Sequence, residues 1–138
     1  MPVDAYEFCP CGSGKKFKFC CMDIADQLEK AQRHRENNQS RMALQILDRI
    51  DKKHRDSPWV LIEKASILLQ ENEPDEARAV LDQLLSKNPD HKLGIALLAL
   101  VSFSTSGFEA SKGSIYRAFQ QCTREVPDIM CELALSIA

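Results

Sequence analysis

Residues 9–21 read Cys-Pro-Cys-Gly-Ser-Gly-Lys-Lys-Phe-Lys-Phe-Cys-Cys, and no other stretch of the chain carries as much chemistry. Four of the six cysteines, Cys9, Cys11, Cys20 and Cys21, stand there in two tight pairs around a Gly-Ser-Gly turn. Thiolates are soft ligands that favour zinc, and four of them complete a tetrahedral shell with no position left for water or substrate. Such a metal is structural. The competing reading is a disulfide framework, but Cys20 and Cys21 are adjacent and Cys9 and Cys11 are separated by one residue. Two crossing bridges in so short a loop would be strained, and cysteine-rich spacing in a chain without export signals points to metal.

The residues between the pairs suit that role. Gly12 and Gly14 can take positive φ and let the backbone curl toward the sulfurs. Ser13 is placed to donate a supporting hydrogen bond to a ligand. Zinc with four thiolates carries about two net negative charges, which the neighbouring Lys15, Lys16 and Lys18 offset. The lysine run reads either as local charge balance on a solvated loop, with Phe17 and Phe19 packed under the zinc knuckle or on the first helix, or as a basic patch edged by those two rings. The order Cys9-x-Cys11, Gly12-Ser13-Gly14-Lys15-Lys16, then Cys20-Cys21 resembles the SEC-C zinc motif at the C-terminus of the secretion ATPase SecA, which also occurs as an appendage on many bacterial proteins. The resemblance implies one zinc and a docking role; in SecA the module is associated with a chaperone partner, acidic surfaces, phospholipid and the ribosome. Here the motif precedes the rest of the chain, so those partners do not carry over directly.

The chain has 138 residues, 44% hydrophobic and 28% charged, with a net charge of −2. That is enough for one helical domain with its own core plus a metal-stapled module. The charge excludes an overall basic field for nucleic acid. No apolar run reaches the length of a membrane span and no signal-peptide pattern is present, so a reducing cytoplasm is expected.

From about Asp23 the pattern becomes helical, and the fold class expected is all-α. Ser57 precedes Pro58, and Pro74 is followed by Asp75 and Glu76, both helix-start signatures in which Ser57 would act as the cap. The helices repeat at intervals of 34: Ala31, Ala65 and Ala99; Ala43, Ala77 and Ser111; Leu47, Leu81 and Ile115; Ile50, Leu84 and Ala118. Small residues in the first two columns permit close helix approach, and aliphatics fill the layer between. The period and these positions resemble the tetratricopeptide repeat, best from Pro58 to His91, where Pro89 also stands in place. The first unit has Arg55 where the closing proline belongs, and the third has Ser104-Thr105-Ser106-Gly107 at its turn and Gly113 in its second helix. The expected architecture is a helical-hairpin solenoid: a zinc knuckle over residues 1–22, then about three repeats and a final helix over 23–138. The helices are expected to fold without the metal.

That family's geometry implies a concave groove lined by Leu28, Gln32, Arg35, Trp59, Ile62, Ser66, Leu69, Leu93, Ala96, Leu100 and Phe103. It is apolar and lacks the lysines and asparagines of a carboxylate clamp. It reads either as a site for an amphipathic or extended peptide or as a surface filled by later segments or a second copy. The run after Pro127 begins another amphipathic helix without a polar cap, so the chain reads as part of a longer protein or as closed by an apolar lid. Catalysis finds no motif: His34, His54 and His91 are scattered, with His54 and His91 near helix ends, and Cys122 and Cys131 read as small buried residues. The function expected is a non-enzymatic adaptor that binds a protein or peptide through the groove, with an acidic surface or the ribosome as a further partner for the zinc module. The alternatives are a nucleic-acid or ribosome-associated module using Lys15, Lys16 and Lys18, and a regulatory segment of a larger enzyme.

Overall fold

A computed structural model describes residues 4–9, 14–50 and 54–122. Among these residues the architecture is all-helical. Helices α1 (Ala25–Glu36), α2 (Ser40–Asp48), α3 (Pro58–Gln70), α4 (Pro74–Lys87) and α5 (Lys92–Cys122) follow two short 3₁₀ turns at Phe17–Phe19 and Met22–Ile24. Pro58 and Pro74 each open a helix at its first turn, where the missing N–H costs nothing. The amphipathic run after Pro127 and Cys131 lie outside the described residues.

The chain divides into two compact units, Met1–Asn72 and Glu73–Ala138. Their boundary falls at the turn between α3 and α4, inside the repeat that the sequence marks most clearly. In the first unit α1 packs on α2 and both pack on α3. In the second, α4 packs on α5. Every residue of the four periodic columns is buried: Ala31, Ala65 and Ala99; Ala43, Ala77 and Ser111; Leu47, Leu81 and Ile115; Ile50, Leu84 and Ala118. Gly94 brings α5 still closer to α4, since a Cβ there would stand 2.9 Å from Leu84 Cδ2.

Residues on both sides of position 22 share one core. Cys9, Phe17 and Cys21 pack with Ile24, Leu28, Ala31, Ala43, Leu47, Ile50, Val60 and Ile67. The cysteine loop is therefore joined to the helices by apolar packing, and the helical core expected to stand apart from it includes it.

Among the described residues, three of the turns that follow a helical segment use left-handed backbone. Asn38 has φ 59° and Asn72 has φ 58°, the asparagine form of the helix-ending conformation. Gly107 has φ 77° and ψ 179°, a region open essentially to glycine alone. This residue interrupts α5. In a straight helix Ile95 and Ile115 would stand roughly 30 Å apart, yet Ile95, Ala96 and Ala99 share a core with Ile115 and Ala118. The segment thus folds back at Gly107 into a third hairpin. The Ser111 hydroxyl donates to the Gly107 carbonyl at the bend, and Ser104 and Thr105 donate to Leu100 and Val101 at 3.0 Å in the turn before it.

By length and composition alone residues 92–121 are apolar enough to cross a membrane, although no such run was anticipated. The length arises from counting through the bend; residues 92–106 and 108–122 are separate helical segments packed on each other.

Gly107 and Gly113 should respond oppositely to alanine. A Cβ meets nothing within 4 Å at either position, so only backbone conformation decides. Gly107→Ala should destabilise the second unit by about 1–3 kcal/mol, whereas Gly113→Ala, inside regular helix, should stabilise it by about 0.4–1 kcal/mol. Urea unfolding of both variants measures the two signs.

Candidate metal centre

The cysteine loop closes on itself through backbone hydrogen bonds. Cys9 N–H donates to Lys15 O at 2.8 Å, Phe17 N–H to Glu7 O at 2.8 Å and Lys18 N–H to Ala5 O at 2.9 Å. Phe8 and Lys16 form an isolated antiparallel bridge, and Gly14 takes φ 81° at the turn. This closure sets Cys9 opposite the second cysteine pair, which the 3₁₀ turn at Phe17–Phe19 delivers: Cys20 N–H donates to Phe17 O at 3.1 Å.

The Sγ atoms of Cys9, Cys20 and Cys21 all lie within 4.8 Å of one another. Cys20 Sγ and Cys21 Sγ are 3.6 Å apart. Thiolates at the corners of a tetrahedron around an ion with bonds of about 2.3 Å stand roughly 3.8 Å apart, so the three donors fit one metal ion. Cys9 and Cys21 are buried and Cys20 is half-buried. Among the described residues no disulfide joins any of the three. Cys11 and Ser13, expected as fourth ligand and supporting donor, lie outside the described residues.

The loop's side chains divide sharply. Phe17 is buried, and its ring lies 6.5 Å from that of Trp59 at an interplanar angle of 47°. Phe19 and Phe8 are each 73% exposed and Tyr6 is 65% exposed. Lys15, Lys16 and Lys18 are all exposed. Lys18 Nζ stands 5.4 Å from the Tyr6 ring centre and 5.9 Å from that of Phe19, within cation–π range. Phe17 packs inward, as the sequence leads one to expect for both rings, and anchors the loop, whereas Phe19 faces out. Tyr6 and Phe8 lie before the cysteine motif, where no ligand spacing marks them.

Ser57 differs from its expected role. It precedes α3 as a capping residue should, but its side chain makes no capping bond. Its Oγ lies 3.3 Å from Cys21 Sγ. The adjacency to Pro58 explained Ser57 sufficiently as a cap, so nothing in the sequence tied it to a cysteine far upstream. His91 does cap, accepting the Gly94 N–H at Nδ1 over 3.1 Å at the start of α5.

The residues assigned to a groove fall into two kinds. In the first unit Leu28 is 1% exposed and Ile62 8% exposed, while Gln32, Arg35, Trp59, Ser66 and Leu69 are half-buried. In the second unit Ala96 is buried, and Leu93, Leu100 and Phe103 are half-buried, Leu100 and Phe103 packing against that unit's core. Trp59 packs in the same way against the core that contains Phe17. Arg35 is engaged too: its Nε donates to Glu63 Oε2 at 3.2 Å, and its carbonyl accepts from Gln70 Nε2 at 3.0 Å. Gln70 Nε2 also donates to Asn38 Oδ1 at 3.0 Å, tying α3 to the turn after α1. Burial holds the Glu63 carboxyl above its ordinary value of 4.5, with the Arg35 charge and hydrogen bond opposing that rise and the Glu36 charge adding to it.

Comparison with known families agrees with this geometry. The SEC-C motif matches residues 9–23, and the tetratricopeptide repeat matches residues 34–101. No curated protein and no solved structure matches the chain. The chain thus matches a SEC-C motif followed by a tetratricopeptide repeat, in that order, with a cysteine cluster that could hold a metal and an all-helical described structure.

Two outcomes follow from the site. Replacing Cys20 and Cys21 with serine should abolish metal binding and, because Cys21 lies in the core of α1–α3, lower the stability of the first unit; elemental analysis and thermal unfolding followed by circular dichroism measure both. Above pH 4.5 native Glu63 holds its proton longer than the unfolded chain does, so folding stability should fall as pH rises through the raised pKa. Glu63→Gln should flatten that slope in urea midpoints measured from about pH 4.5 upward.

Proposed function

We propose that the protein is a non-enzymatic adaptor whose repeats bind a protein partner and whose cysteine loop holds one structural zinc through Cys9, Cys11, Cys20 and Cys21. Four thiolates leave the ion no open position, so it supplies folding energy and no chemistry on a substrate. The thiol ligation suits a reducing compartment, and a cytoplasmic location accords with it. The observation that carries the interaction role is the repeat match over residues 34–101, supported by the burial of all four repeat columns. The docking surface proposed is the half-buried side of the first helices within the first unit, with Leu69, Ser66 and the open part of Trp59; the second unit by itself offers a similar half-buried set in Leu93, Leu100 and Phe103. Leu28 and Ile62 support that surface from beneath, and Arg35 borders it while paired with Glu63. An amphipathic or extended apolar segment is the partner that such a surface suits.

A second reading is favoured by the exposed face of the cysteine loop, where Lys15, Lys16 and Lys18 accompany Tyr6, Phe8 and Phe19. Lysines with aromatic rings suit an acidic protein surface or a ribosomal one. Partners recovered with the intact chain and identified by mass spectrometry separate the readings. On the repeat reading, Leu69→Asp loses the partner while helicity is retained, and affinity changes little with salt. A partner kept by Leu69→Asp, lost on changing Lys15, Lys16 and Lys18 to glutamate, and released steeply by salt would overturn it in favour of the loop.

A further inference from the structure

We propose that Ser57 is the residue through which the helical repeat holds the metal centre, its hydroxyl donating a hydrogen bond to the Cys21 thiolate. The inference rests on the zinc reading above and extends it to a residue outside the cysteine motif. Ser57 stands where a serine ordinarily satisfies the open amides of its own helix, an arrangement worth about 1 kcal/mol. Here the side chain makes no such bond. Its backbone still starts the helix, since the Ser57 carbonyl accepts the Leu61 N–H at 3.0 Å. The hydroxyl is turned instead toward Cys21 Sγ at 3.3 Å.

Chemistry fixes the direction of this bond once metal is present. A thiol and a hydroxyl can each donate to the other, but a metal-bound sulfur has lost its proton and can only accept. Ser57 must then be the donor. The bond withdraws charge from a fully buried thiolate, in a site whose four sulfurs leave about two negative charges on the metal complex. The N-terminal end of α3, the positive end of its dipole, begins at Pro58 beside that hydroxyl. Donors of this kind orient a ligand and commonly change metal affinity 10–100-fold.

The neighbouring side chain makes the contact readable. Trp59, two residues on, packs against Phe17 of the same loop, and it is the only tryptophan in the chain. Metal binding at the loop and seating of α3 against it are then one linked equilibrium, reported by Trp59 emission.

The test uses the full chain as wild type, Ser57→Ala, Ser57→Gly and Ser57→Thr, with zinc as the only added ligand. Affinity is read by competition with a chromophoric chelator and by Trp59 fluorescence, and urea midpoints are taken with and without zinc. Glycine costs only a few tenths of a kcal/mol relative to serine at a helix start, so Ser57→Gly keeps the fold while removing the hydroxyl. Expected are a loss of zinc affinity of about 10-fold or more in Ser57→Ala and Ser57→Gly, near wild-type affinity in Ser57→Thr, and metal-free midpoints close to wild type. Unchanged zinc affinity in Ser57→Gly would overturn the proposal, as would equal losses of stability with and without zinc, which describe an ordinary helix-start residue. A wild-type chain that binds no zinc would instead overturn the zinc reading itself.

Discussion

The closest constraint in the structure is the absence of side-chain bulk at the helix contacts. Ala31, Ala43 and Ala65 in the first unit, and Ala77, Ala99 and Ala118 in the second, have no exposed surface at all. Helix axes separated by about 8–10 Å are the norm in such packing, and side chains that end at Cβ permit the near end of that range. The aliphatic layer then fits only in the register that the alanines allow: Leu47 and Ile50 lie on the same core as Ala31 and Ala43. The repeat period is thus a packing requirement before it is a sequence signature, since a shift of one position would place Gln32 at the site of Ala31 and Arg78 at the site of Ala77, where no exposed surface remains.

The cysteine loop obeys the same constraint from the opposite direction. A segment of its length cannot bury enough apolar surface to hold itself together. It meets that deficit twice, by gathering thiols for a metal and by placing Phe17 and Cys21 in the core of α1–α3. Burying thiolates in apolar surroundings is costly unless donors and charges answer them. The loop supplies lysines that remain in water, and the repeat supplies Ser57 from within. Lys18 stands over two aromatic rings, so its charge stays near the loop.

What the sequence made legible follows from how far each signal reaches. The cysteine spacing is local and chemically restrictive, and three of its four sulfurs converge as that spacing requires. The repeat columns are regular over the whole helical region, and their burial follows directly. The turns were partly legible: Ser104-Thr105-Ser106-Gly107 announced a bend, whereas the left-handed Asn38 and Asn72 went unread although they too stand 34 apart. Tertiary choices were not legible. Ser57 has a sufficient local explanation as a cap, and only the position of Cys21 reveals another use. Groove positions suffer the same limit, because a repeat register tells which side of a helix a residue occupies and not how deep it sits; Leu28 and Trp59 share a side yet differ in burial.

Trp59 is where the metal loop and the proposed docking surface meet. One part of its ring system packs on Phe17 and the core beneath, and the rest stays accessible. A half-buried aromatic of this kind makes a strong interface anchor only when its orientation is fixed before the partner arrives, since ordering a large side chain on binding consumes affinity. Phe17 provides that orientation, and Phe17 is held in turn by a loop whose closure brings Cys9 to Cys20 and Cys21. If the face of α3 is the docking surface proposed above, the metal acts on recognition without touching the partner, by fixing the loop that fixes the ring. A structural zinc and a binding surface then need no contact between ion and ligand to be thermodynamically linked; they need only share Phe17 and Trp59.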